Sequence, residues 1–113
     1  MRDHIRQVNV QQVPDPLPTT VVVLDVRESE EWDAGHINGA LHIPLAELPH
    51  RVAELPSEAH VVTVCRVGAR SAVATAFLQA AGRDAVNLSG GMVAWQHAGR
   101  PVVSSGEGPA RVV

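Results

Sequence analysis

Short apolar runs alternate along this chain with segments whose apolar positions recur at helical spacing. Val21-Val22-Val23-Leu24-Asp25-Val26 is almost continuously apolar, the pattern of a strand covered on both faces. Ala40-Leu41-His42-Ile43, closed by Pro44, reads the same way, as do Val61 to Val64 and Ala85-Val86-Asn87-Leu88. Val8 to Val10 forms a short first strand, and Pro14, Pro16 and Pro18 then impose an extended connection. Between the strands, Ser29 to Ala34 reads as a short helix with acids in its first turn and Gly35 as its stop. Leu45, Leu48, Val52 and Leu55 lie at helical spacing, with Pro49 placed to break that helix into two short pieces. A third helix runs from Ser71, a good N-cap residue, to about Ala81, with Val73, Phe77 and Ala80 as its apolar stripe. A last helix follows Ser89-Gly90-Gly91 and ends near Gly99-Arg100-Pro101. Strands alternating with helices predict an α/β fold: a parallel sheet with helices on both faces, in three layers. In such sheets ligands bind beyond the carboxyl ends of the strands.

The 113 residues allow one compact domain. Residues 1–103 are read as that domain, and 104–113, rich in Gly, Ser and Pro at its start, as a mobile tail. Aromatic residues are limited to Trp32, Phe77 and Trp95, so the core is built from Val, Leu, Ile and Ala, with Trp95 read as part of it. A net charge of −3 argues against nucleic acid or an anionic membrane as partner. The start, Met1 to Gln7, lacks the apolar stretch of a signal peptide, and no apolar run is long enough to span a bilayer. With a single cysteine, which suits a reducing compartment, the expectation is a cytoplasmic protein.

That cysteine carries the candidate chemistry. Val61 to Val64 deliver Cys65 to the loop Arg66-Val67-Gly68-Ala69-Arg70, and a helix follows at once. A lone cysteine ending an apolar strand ordinarily packs. Here Gly68 supplies backbone freedom, Arg66 and Arg70 supply positive charge, and Ser71 stands at the helix start. Backbone amides at such a turn form an anion-binding nest, to which the helix terminus adds partial positive charge. A thiol held there loses its proton easily. Cys65 is read as a thiolate nucleophile.

Four segments together resemble the rhodanese-like sulfurtransferases, in their single-domain form. They are Leu24-Asp25-Val26-Arg27-Glu28; Glu31-Trp32-Asp33-Ala34-Gly35-His36-Ile37-Asn38-Gly39-Ala40-Leu41-His42-Ile43-Pro44; Cys65-Arg66-Val67-Gly68-Ala69-Arg70-Ser71; and Leu88-Ser89-Gly90-Gly91-Met92-Val93-Ala94-Trp95. The resemblance runs from about Val8 to Val103. It implies a five-stranded parallel sheet in the order 3-2-4-5-1, with Gly90-Gly91 beside the active loop. It also implies a sulfurtransferase in which Cys65 takes the outer sulfur of thiosulfate or a similar donor as a persulfide. The sulfur then passes to cyanide or a cellular thiol, with a sulfur-accepting protein as a further partner and no cofactor beyond the persulfide itself. The amides of Arg66 to Ser71 would hold the thiolate and later the persulfide, while Arg66 and Arg70 draw in the sulfonate end of the donor. In the related cell-cycle phosphatases and arsenate reductases the arginine falls six positions after the cysteine, against five here, so phosphatase activity is not expected. The charged loop also departs from the small, uncharged loop of mercaptopyruvate-using relatives. The alternative reading is a rhodanese-like persulfide carrier or regulatory module that serves one protein partner with little thiosulfate turnover.

Asp25 and Arg27, at the end of the second strand, are read as loop support, Asp25 either accepting from loop amides or pairing with an arginine. A catalytic role is disfavoured because an anion beside a thiolate raises its pKa. His36 and His42 lack further ligands at metal-binding spacing and are read as surface or hydrogen-bonded histidines, with no metal expected.

Overall fold

The computed structural model describes residues 5–113. Met1 to His4, part of the stretch read as lacking a signal peptide, lie outside the described residues. The elements in chain order are β1 (Gln7–Val8), β2 (Val21–Asp25), α1 (Ser29–Ala34), β3 (Leu41–His42), α2 (Leu48–Arg51), β4 (His60–Val64), α3 (Ala69–Ala80), β5 (Asp84–Leu88) and α4 (Gly91–His97). All strand pairs are parallel, and the sheet order is β1-β5-β4-β2-β3, which is 3-2-4-5-1 counted from the other edge. The first strand is shorter than expected, because Val10 turns into a single 3-10 turn capped by Asn9. Pro49 does break the predicted second helix, into α2 and flanking 3-10 turns at 45–47 and 52–54.

The strand order makes a crevice. From β2 the chain leaves toward β3, whereas from β4 it leaves toward β5 on the other side. Connections that diverge from adjacent strands leave an opening above their carboxyl ends. Asp25 lies level with Val64 in that pair, and the Val26 amide donates to Val64 O at 3.0 Å, so Cys65 emerges at this opening.

Alternate residues of the central strands feed two separate cores. Leu24 and Val61 join Ile43, Leu48, Leu55, Ala74 and Leu78 on the face covered by α2 and α3. Val23, Val62 and Val64 join Val10, Leu88, Met92 and Trp95 on the face covered by α4. Trp95 is core, as expected, and its indole N–H donates to Pro101 O at 3.0 Å.

The structure corrects the reading of α3. Val73 and Phe77 are 58% and 37% exposed and Ala80 also faces solvent, while Ser71, Ala74, Thr75 and Leu78 are buried. Ala74 and Leu78 enter the first core on that side, and Thr63, wholly buried on β4, bonds the Thr75 hydroxyl at 2.7 Å and Ser71 O at 3.1 Å there, besides Val86 O at 3.2 Å. These contacts turn the side bearing Ser71, Ala74, Thr75 and Leu78 inward, and Val73 and Phe77 outward.

The tail, for which the composition predicts mobility, lies along α1. The Ser105 amide donates to Asp33 O at 3.0 Å and the Arg111 amide to Ala34 O at 2.9 Å. Val112 packs against the second core. A Cβ on Gly35 would fall 2.3 Å from Arg111 O, so the glycine that stops α1 also makes room for this segment.

Leu78→Ala should lower the unfolding free energy by about 2–5 kcal/mol. Val73→Ala, on the exposed stripe, should stay within about 0.5 kcal/mol of the parent protein in urea denaturation.

Candidate active site

The loop after β4 is fixed by its carbonyls. Cys65 O accepts from the Met92 amide at 2.8 Å and Arg66 O from the Val93 amide at 3.0 Å, both in the first turn of α4. Gly68 O accepts from Asn87 Nδ2 at 3.1 Å. Gly91 permits this approach, since a Cβ there would lie 2.3 Å from Cys65 O. Gly90-Gly91 thus sit beside the loop, as the resemblance implied.

With the Arg66 carbonyl held outward, the Val67 amide of the same peptide turns toward the sulfur. Gly68, at φ +111°, starts α3 two residues earlier than expected, so Ser71 lies in its first turn and is not its cap. The first amides of a helix have no partner within it. Ser71 N donates to Cys65 Sγ at 3.3 Å and Gly68 N at 3.1 Å, and the Ser71 hydroxyl stands 3.2 Å from the same sulfur. Cys65 is only 1% exposed. That burial pushes its thiol up. The Ser71 hydroxyl and the Ser71, Gly68 and Val67 amides outweigh it, and the net displacement is below the ordinary cysteine value.

The Ser71 hydroxyl also lies 2.5 Å from Asn87 Oδ1. It has one proton for two acceptors. A thiolate draws that proton to sulfur, while a neutral thiol leaves it with the amide. Asn87, 2% exposed on β5, holds the Gly68 carbonyl through Nδ2 and offers Oδ1 to the Ser71 hydroxyl when the thiol is neutral. Sequence reading missed it, although a lone asparagine within the apolar run Ala85 to Leu88 is the signal that could have revealed it.

The remaining predicted residues are placed as follows. Val67 is 53% exposed and Ala69 is exposed on the rim. Arg66 is exposed and donates from Nε to Val113 O at 3.2 Å. Arg70 grips Glu31 of α1 with both prongs, Nη1 to Oε1 at 2.7 Å and Nη2 to Oε2 at 2.8 Å. Arg70 holds the Glu31 carboxyl down to about 2 by these bonds, against a smaller opposing effect of burial, with help from the Glu28 amide. The sequence marked Glu31 only as a first-turn acid, since its partner is distant along the chain.

Asp25 and Arg27 are both fully buried and form an ion pair, Nη2 to Oδ2 at 2.8 Å. Of the two roles expected for Asp25, pairing with an arginine is the one present. Arg27 Nη2 also donates to Gly35 O at 2.7 Å, so this pair fastens the end of α1. The His36 and His42 rings both stack on Trp32, with centroids 3.6 and 4.7 Å away, and each bonds a backbone carbonyl.

The rhodanese-like domain family matches residues 9–98 of this chain, the span that contains the whole of this loop and its supports. The chain belongs to the rhodanese-like family. A sulfurtransferase of Allochromatium vinosum is 41% identical over 85 residues, covering 74% of this chain and 79% of that protein. An HTH-type transcriptional regulator of Mycobacterium tuberculosis is 46% identical over 86 residues, covering 73% of this chain but 37% of its own length. The solved structure of a rhodanese-related protein from Thermoplasma volcanium superposes with a TM-score of 0.81 at 34% identity, covering 87% of this chain and 97% of that one. Rhodanese-like domains thus occur among these relatives both nearly alone and as part of a longer chain. This chain is a rhodanese-like member of a family of sulfurtransferases and sulfur carriers, and among the described residues no helix is long and apolar enough to cross a membrane.

The rate of Cys65 alkylation by iodoacetamide should rise with pH to a plateau reached below the pH expected of a free cysteine. Ser71→Ala should move that midpoint upward, because a donor to the thiolate is lost. An unmoved midpoint would show that the amides alone set the acidity.

Proposed function

We propose that this domain is a sulfurtransferase that carries sulfane sulfur as a persulfide on Cys65, with thiosulfate or a similar donor as source and a thiophilic acceptor such as cyanide or a cellular thiol. The observation that carries this reading is the convergence of Gly68 N, Ser71 N and Ser71 Oγ on one sulfur. Cys65 Sγ, as thiolate, attacks the outer sulfur of thiosulfate. The donor S–S bond breaks, its electron pair leaves with sulfite, and a new S–S bond joins the outer sulfur to Cys65. Cyanide then attacks that outer sulfur, giving thiocyanate and returning the thiolate, so the two half-reactions are ping-pong. Neither step calls for a general base or a cofactor: the loop donors lower the thiol below its ordinary value, and the amides stabilise each anion in turn as preorganised dipoles. A sulfur on a residue 1% exposed favours slim partners: an anion, or a thiol at the end of an extended chain.

Intact mass after thiosulfate treatment should show a gain of one sulfur atom that a thiol reductant removes. Cys65→Ser should show neither that gain nor thiocyanate production, since its hydroxyl is not ionised at neutral pH. Residual turnover in Cys65→Ser would overturn the mechanism. Loading of sulfur with negligible turnover to cyanide would assign the domain instead to the carrier class.

A further inference from the structure

Arg70 of the loop is already paired with an anion of the protein itself. Glu31, on α1, meets Arg70 in the two-pronged geometry that guanidinium groups make with planar or tetrahedral oxyanions. Those are the same two N–H donors that a sulfonate would need from Arg70. Glu31 is further tied by the Glu28 amide, which donates to its Oε1 at 3.0 Å. Its side chain is 19% exposed, against 36% for Arg70, so the carboxylate is the more sheltered partner. Arg66 is the other cation on the loop, and it points outward to Val113 O.

Resting on the reading of Cys65 as the persulfide-forming nucleophile, we propose that Glu31 is a selectivity residue. By clasping Arg70 it disfavours sulfane donors that end in a sulfonate and favours persulfides of low charge. Thiosulfate brings two negative charges and must either displace a carboxylate from Arg70 or bind with Arg66 and the loop amides alone. A persulfide R–S–SH asks nothing of Arg70. Its outer sulfur enters the loop, the Cys65 thiolate attacks that sulfur, and the electron pair of the broken S–S bond leaves as the thiolate RS⁻. Cys65 becomes Cys–S–SH, and the sulfur moves without change of oxidation state. The Glu31 carboxyl, held at about 2, stays ionised at every pH where thiol chemistry runs, so the discrimination is constant across the neutral range. Arg70 directly precedes Ser71, whose amide and hydroxyl contact Cys65 Sγ, so the clasp is built on the loop that holds the sulfur.

The test compares thiosulfate with the persulfide of an uncharged thiol, 2-mercaptoethanol persulfide, as donor, cyanide as common acceptor, in the parent protein and Glu31→Gln. Removing the charge should raise the thiosulfate-to-persulfide ratio of kcat/KM by about threefold to tenfold, as expected for loss of a competing ion pair. The gain should reside in the thiosulfate KM, and that KM should become more sensitive to salt, because Arg70 is then an uncompensated cation. A purely structural role for Glu31 would move both donors together. An unchanged ratio in a variant that still loads sulfur on Cys65 would overturn the selectivity proposal and leave the sulfurtransferase reading standing. Absence of loading from both donors in the parent protein would overturn the two together. If Glu31→Gln loses its cooperative melting transition, Glu31→Asp serves instead. It keeps the charge one methylene back and breaks the two-pronged fit, and the ratio should rise by about twofold. No rise there would equally overturn the proposal.

Discussion

Everything at this site depends on where the carbonyls of one loop are sent. A peptide carries its donor and acceptor in opposite directions, so fixing one aims the other. Met92 and Val93 of α4 hold the carbonyls of Cys65 and Arg66, and Asn87 of β5 holds that of Gly68. The Arg66 carbonyl shares its peptide with the Val67 amide, which is thereby turned to the sulfur, where the Gly68 and Ser71 amides at the start of α3 join it. The sheet order contributes the location, because only at β4 do neighbouring connections part and leave a crevice.

Much of this was legible along the chain, for identifiable reasons. Runs such as Val21 to Val26 and Val61 to Val64 are too apolar and too rich in β-branched residues for anything but buried strands. The bounds of α1 follow from local signals, acids at its start and Gly35 at its end. The orientation of α3 was not legible. Val73 and Phe77 stand at helical spacing, and so do Ala74 and Leu78. The choice between them rests with other elements: Thr63 of β4 bonds Thr75, and the first core takes Ala74 and Leu78. The same holds for Glu31 and Arg70, which meet only after the sheet has brought α1 beside α3. Local pattern reveals elements and their chemistry, whereas pairings between distant polar groups need the fold.

The small helix α1 shows how such pairings substitute for local stability. At six residues it is too short to persist alone in water. It is fastened by the buried Asp25–Arg27 pair through Gly35 O, by Arg70 through Glu31, and by the segment at Arg111 through Ala34 O. Its position beside the loop therefore depends on charge as much as on apolar contact. Removing one member of the Asp25–Arg27 pair would strand the other without water, which is the costly way to break such a pair.

The donors aimed at Cys65 are mostly main-chain atoms, and this bears on how such a site can diverge. Ordinary substitution changes a side chain and leaves the amide in place; only proline deletes it. Val67 and Ala69, on the exposed rim, can thus be exchanged for residues of other size or charge while the cradle beneath them persists. Gly68 and Gly91 are the exceptions, one for its left-handed backbone and the other for its contact with Cys65 O. Chemistry and recognition are in this way inherited separately: the polypeptide trace carries the first, and a handful of replaceable side chains carries the second.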